Sequence, residues 1–152
     1  MSDTPIIDSL NGLVADAIVL YYKIHNYHWN LRGPSFFTLH EKFEEMYDEY
    51  HDQLDVLAER VLQLGGRPVG NLSQALQLTA LSEETGTPRT EQMVQTTLDD
   101  VHQARERLLA ASKVAQEHED KTTENILDDF IDRTAKNVWM LGAYLDKTVR
   151  ED

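Results

Sequence analysis

The chain has 152 residues, enough for one domain with a real hydrophobic core. Acidic residues outnumber basic ones by 27 to 14, which argues against a surface built for uniform contact with nucleic acid or anionic lipid. The absence of cysteine excludes disulfides, thiolate metal sites and cysteine nucleophiles.

The start, MSDTPIIDSL, lacks the basic flank and apolar core of a signal peptide. No uninterrupted apolar run approaches the roughly 18 residues that span a bilayer, so a cytoplasmic protein with no membrane partner is expected. Four long segments then keep helical periodicity. In the first, Leu10, Val14, Ala17, Tyr21, Ile24, His28 and Leu31 recur at steps of three and four. The second runs Phe36, Leu39, Phe43, Met46, Tyr50, Leu54, Leu57, Val61, Leu64. The third runs from Val94 to Ala115 and the fourth from Leu127 to Leu145. Gly33-Pro34, Gly65-Gly66-Arg67-Pro68 and Gly86-Thr87-Pro88 interrupt them, and Thr122 and Thr123 offer N-caps to the fourth. Nothing reads as a strand.

Helices of roughly 26 to 30 residues, each about 40 Å long, suit a four-helix bundle. Short links join the first pair and the last pair, while a long link over about residues 65 to 89 joins the two hairpins. Its apolar patch, Leu72, Leu76, Leu78 and Leu81, fits a short helix. An all-α, single-domain ferritin-like bundle over residues 1–152, with a short helix in its central crossover, is the expected fold.

The chemistry-bearing set is His28, His40, Asp55 and Glu59. His28 and His40 stand at similar distances from the Gly33-Pro34 break, so an antiparallel hairpin brings both imidazoles to one height. His40 and Glu44 form an i,i+4 pair, as do Asp55 and Glu59, and such pairs project from one helix face. Along one continuous helix, however, His40 and Asp55 lie about 22 Å apart, at a rise of about 1.5 Å per residue. No ion with bonds of about 2.0–2.2 Å bridges that gap. Either the two halves do unrelated things, or a second copy across a two-fold axis brings its Asp55 and Glu59 to this chain's His28 and His40. A donor set of few nitrogens and several oxygens with open positions leans towards Fe(II), with zinc or manganese able to substitute.

Each residue taken alone has an ordinary reading: His28 as a hydrogen-bonded core histidine, and the eight acids from Glu41 to Glu59 as a wetted helix face. Trp29 and Trp139 are by default packing residues. Asp48-x-x-His51 and Asp99-x-x-His102 resemble the Glu-x-x-His pairs of intrasubunit di-iron bundles, an alternative that needs no partner chain.

The stretch from His28 to Phe43, HWNLRGPSFFTLHEKF, resembles the signature of the Dps mini-ferritins. Asp55-Val56-Leu57-Ala58-Glu59-Arg60, followed by Gly65-Gly66-Arg67-Pro68, resembles that family's continuation, and Val138-Trp139-Met140 is compatible with it. The resemblance implies a hollow homo-dodecamer with di-iron ferroxidase centres at two-fold interfaces. His28 and His40 would come from one subunit and Asp55 and Glu59 from its partner. Glu44 would support the second iron, and Trp29 would sit beside the centre to take up stray oxidising equivalents. The implied activity is oxidation of Fe(II), preferentially by hydrogen peroxide and more slowly by oxygen, with ferric mineral stored inside. Glu41, Glu44, Glu45 and Asp48 would nucleate the mineral, and Asp120, Glu124 and Asp128 would line an entry pore.

One trait of DNA-binding family members does not carry over. The first 22 residues hold no Lys or Arg, and the end, DKTVRED, is short and balanced, so direct DNA binding is not expected. The alternative reading is a DNA-compacting or purely structural acidic shell whose histidines merely pack.

Overall fold

A computed structural model describes residues 3–146 of the chain. Five helices follow in order: α1 (Thr4–Asn30), α2 (Phe36–Gln63), α3 (Leu72–Leu78), α4 (Thr90–Glu117) and α5 (Lys121–Tyr144). The helical periodicities therefore land where expected, and the short helix sits in the crossover. α5, at 24 residues, is shorter than the expected range. Among the described residues there is no strand.

α1 packs chiefly on α2, and α4 on α5; α1 against α4 then joins the two hairpins. The core divides into two clusters along the bundle. One gathers Leu20, Ile24, Tyr27, Phe43, Met46 and Val101 around the α1–α2 turn. The other gathers Leu10, Leu57, Val61, Leu108 and Leu127 at the opposite end. α1 is long and apolar enough in composition to cross a membrane, although Asp16 interrupts its apolar run. Its Leu10, Leu13, Leu20 and Ile24 are buried in the bundle, which is the behaviour of a core helix.

The helix ends have local causes. α2 stops in a Schellman motif: Gly66 N–H donates to Val61 O at 2.9 Å and Gly65 N–H to Leu62 O at 3.0 Å. Gly65 takes φ +83°, a left-handed conformation that costs glycine little. α4 ends in the same motif, with Asp120 N–H on Ala115 O and Glu119 N–H on Gln116 O. There the left-handed residue is Glu119, at φ +56°. The N-cap of α5 corrects the expectation of Thr122 or Thr123. Asp120 caps it, accepting from Thr123 N–H at 3.0 Å, and Thr123 is the capped residue.

The crossover follows α1 from its start to its end, held by a series of polar clasps. Asn11 bonds Arg67 O and Val69 N–H. Asp16, only 2% exposed, accepts from Thr79 Oγ1 at 2.8 Å, Ala80 N–H at 3.0 Å and Arg107 Nε at 2.9 Å. Lys23 donates to Ser82 O and pairs with Asp100, both at 2.7 Å. Tyr27 Oη donates to Glu84 at 2.5 Å, and Thr90 Oγ1 bridges Arg32 N–H and O. Burial pushes the Asp100 carboxyl above the usual carboxylate range, although the Lys23 ammonium pulls it down. The hydrogen bond from Tyr27 holds Glu84 below that range.

Candidate metal centre

His28 lies in the last turn of α1 and His40 in the second turn of α2, with the short link through Gly33 between them. Gly33 takes φ +106°, which lets the chain reverse tightly. The reversal brings the rings into a stack, centroids 3.6 Å apart and planes 13° from parallel.

The hydrogen bonds are reciprocal. His28 Nδ1 contacts His40 O at 2.7 Å, and His40 Nδ1 contacts His28 O at 2.8 Å. A carbonyl only accepts, so each Nδ1 carries its proton and donates. In the neutral rings both Nε2 atoms then keep a lone pair, the state needed to ligate a metal. His28 is buried, at 6% exposed, and His40 is partly exposed, so the pair meets solvent on the His40 side. Phe36 lies nearly parallel to His40, with centroids 5.0 Å apart.

Around this pair runs a cluster of further rings. Tyr47 stands edge-on to His28 at 5.2 Å and 88°. It stacks on His25 at 3.6 Å and meets Tyr21 at 6.2 Å. Its hydroxyl donates to Glu44 Oε1 at 3.2 Å. Burial, then the negative charge of Glu44, pushes the Tyr47 phenol above its ordinary value, so it stays a donor. Trp29 borders His25 at 5.3 Å and is 56% exposed; Trp139 is 62% exposed. In the single chain both tryptophans are exposed rather than buried in the core, although Trp29 meets the rings of Tyr22 and His25.

The other half of the donor set lies elsewhere. Asp55 and Glu59 are exposed on the C-terminal half of α2, and neither has a side-chain hydrogen bond or ion pair among the described residues. Asp55 borders an open groove of about 530 Å³ between α2 and α5, together with Asp52, Asp129 and Arg133. Among the described residues, no group of three or more His, Asp and Glu can hold one ion. The expected donor set is therefore split in the chain between the His28–His40 pair and the Asp55–Glu59 pair, as the length of α2 requires.

The remaining sequence candidates separate clearly. Asp48, His51, Asp99 and His102 are all exposed, and Asp99 accepts from Gln95. They do not face the bundle interior, so the intrasubunit di-iron arrangement does not form. Glu41, Glu44, Glu45 and Asp48 share the exposed side of α2, with Glu45 paired to Lys42 at 3.2 Å. Asp120 is engaged by its capping bond, by the Thr123 hydroxyl and by Arg60 at 2.8 Å, which leaves it a poor open ligand for an entry pore. Glu124 lies 3.9 Å from Lys121, and Asp128 is exposed. Tyr47 and Phe36 carry no sequence signal of their own, because tyrosine and phenylalanine at helical spacing read as core. Their offsets, Phe36 four before His40 and Tyr47 three after Glu44, are what could have marked them.

The ferritin-like domain family matches residues 7–150. A DNA protection during starvation protein of Brevibacillus brevis is 44% identical over 90% of this chain and 92% of its own length. Its namesake in Helicobacter pylori is 40% identical over 90% and 95%. The crystal structure of a Dps protein from Bacillus brevis superposes with a TM-score of 0.92 at 43% identity, covering 94% of this chain and 96% of that one. The structure of Dps from Listeria innocua soaked with zinc gives 0.90 at 31% identity, covering 93% and 96%. With the bundle, the crossover helix and the histidine pair all in place, the chain belongs to the Dps family of the ferritin-like superfamily.

Proposed function

We propose that the protein is a ferroxidase and iron store that protects the cell, working in the cytoplasm as a homo-dodecameric shell. Fe(II) is its substrate, hydrogen peroxide the favoured oxidant and oxygen a slower one. Each centre is built from His28, His40 and Glu44 of one subunit with Asp55 and Glu59 of another. Trp29 stands beside it. The observation that carries this reading is the reciprocal bonding of His28 and His40, which uses both Nδ1 atoms and leaves the Nε2 lone pair of each stacked ring free.

The residues suit the reaction. Two Fe(II) ions together give two electrons to one peroxide, which takes up two protons and leaves as two waters, so no hydroxyl radical is released. Neutral imidazoles hold Fe(II) without repelling it, and the carboxylates of Asp55, Glu59 and Glu44 offset the charge that rises on oxidation. Exposed acids on α2, including Glu41, Glu45 and Asp48, favour deposition of the ferric product. Zinc or manganese fits the same donors. The name of the curated relatives speaks of DNA protection, and here the protection follows from removing Fe(II) and peroxide together. The alternative of a DNA-compacting or purely structural shell uses the two Nδ1 bonds only as a clasp between α1 and α2 and leaves both Nε2 lone pairs without a role.

The test is a His28→Gly/His40→Gly double variant, mixed anaerobically with Fe(II) and then with stoichiometric peroxide. Rapid oxidation of two Fe(II) per peroxide should disappear while particle mass stays that of the parent. Unchanged oxidation in the assembled variant would refute the assignment.

A further inference from the structure

Between the two donor types of this centre stands Tyr47, a residue that is itself neither histidine nor acid. Its ring presses edge-on against His28 at 5.2 Å, and its hydroxyl donates to Glu44 Oε1 at 3.2 Å. It is the side chain that touches both an imidazole of the pair and the carboxylate one turn beyond His40. Its own placement is enforced from outside. His25 stacks on it at 3.6 Å and 20°, Tyr21 meets it edge-on at 90°, and His25 is anchored in turn through Nδ1 to Tyr21 O at 2.6 Å. A phenol packed in this way has little rotamer freedom left to lose when its hydroxyl engages Glu44.

We propose that Tyr47 is a positioning residue of the metal centre, fixing Glu44 relative to the His28–His40 pair so that carboxylate and imidazoles act on metal together. The proposal rests on the functional reading above. An exposed glutamate has three free side-chain torsions, and the hydrogen bond from Tyr47, long at 3.2 Å, narrows that freedom without abolishing it. The bond occupies Oε1 and leaves Oε2 for a cation. Partners in such outer contacts typically change metal affinity by about 10–100-fold when removed. The chemical class of ligand is a divalent cation that accepts mixed nitrogen and oxygen donors, with Fe(II) as substrate and Zn(II) as a redox-silent probe.

The experiment is calorimetric titration of assembled protein with Zn(II) alone, comparing the parent, Tyr47→Phe, Glu44→Ala, the Tyr47→Phe/Glu44→Ala pair and His28→Gly/His40→Gly. Tyr47→Phe keeps the ring and its stack, so thermal unfolding should match the parent. The zinc-binding class that depends on the histidines should weaken by about 10–100-fold in Tyr47→Phe. It should weaken comparably in Glu44→Ala and no further in the pair, because the tyrosine acts through the glutamate. A parent-like titration for Tyr47→Phe, or losses that add in the pair, overturns the positioning role while leaving the centre standing. Undiminished zinc binding in the histidine variant overturns the centre itself, and the assignment of Tyr47 with it.

Discussion

At the scale of single residues, the chain commits proton positions and charges in specific places. The two Nδ1–carbonyl bonds fix the tautomer of His28 and His40 by the chemistry of the acceptor, which cannot donate. Spacing from the Gly33-Pro34 break was sufficient to place both rings at one height. It could not disclose the mutual bonds, because these depend on the path of the five link residues between α1 and α2. Asp120 shows a second limit: Asp, Thr and Thr in close succession are all good caps, and only the backbone path selects among them. Burial raises the Asp120 carboxyl, but the Thr123 hydroxyl and amide together with Arg60 outweigh it and hold the group below its usual range. An acid lowered in the folded state stabilises the fold above its unfolded pKa and loses that contribution as pH falls through the folded one. Unfolding followed against pH should therefore show a loss below about pH 4 that is smaller in Asp120→Asn. At the neighbouring residue, Glu119 bears the cost of a left-handed conformation. Glu119→Gly should raise the free energy of unfolding by about 0.5–1 kcal/mol in denaturant titration, a value reduced by the extra freedom glycine has when unfolded.

Among the elements, the crossover depends most on contacts distant in sequence. The helical stripes of α1, α2, α4 and α5 were legible because periodicity is a local signal, and the short helix α3 because its leucines cluster. The clasps that lay the crossover along α1 were not legible, since each joins residues more than fifty positions apart. Asp16 is the central clasp, a nearly buried carboxylate serving Thr79, Ala80 and Arg107 at once. Asp16→Ala leaves those donors without an acceptor and should cost about 2–4 kcal/mol, the guanidinium of Arg107 being partly solvated. Hydrogen exchange localises the effect, because the amide of Ala80 donates directly to Asp16 and should lose its protection first. Equal protection in parent and variant would show that the clasp is not what holds the segment.

The whole molecule combines a strongly negative chain with a His28–His40 pair and an Asp55–Glu59 pair that lie on separate parts of it. A net charge of −13 per chain, multiplied over an assembly, repels a polyphosphate, and the first 22 residues supply no cation to bridge the gap. Assembled protein should leave plasmid mobility unchanged in a gel at neutral pH and moderate salt; a retarded band would contradict this. The same acidity concentrates cations near the surface. The half-sets at opposite ends of α2 carry a genetic consequence as well. Consider a chain lacking His28 and His40 co-assembled with one lacking Asp55 and Glu59. Within such a mixed pair, one interface site inherits every ligand and the other keeps only Glu44. Two individually inactive proteins should thus complement each other, and random one-to-one pairing should restore about a quarter of the parental centres. Complementation of this kind is impossible for a centre contained in one polypeptide, so under the proposed assignment the length of α2 makes catalysis a property of the pair.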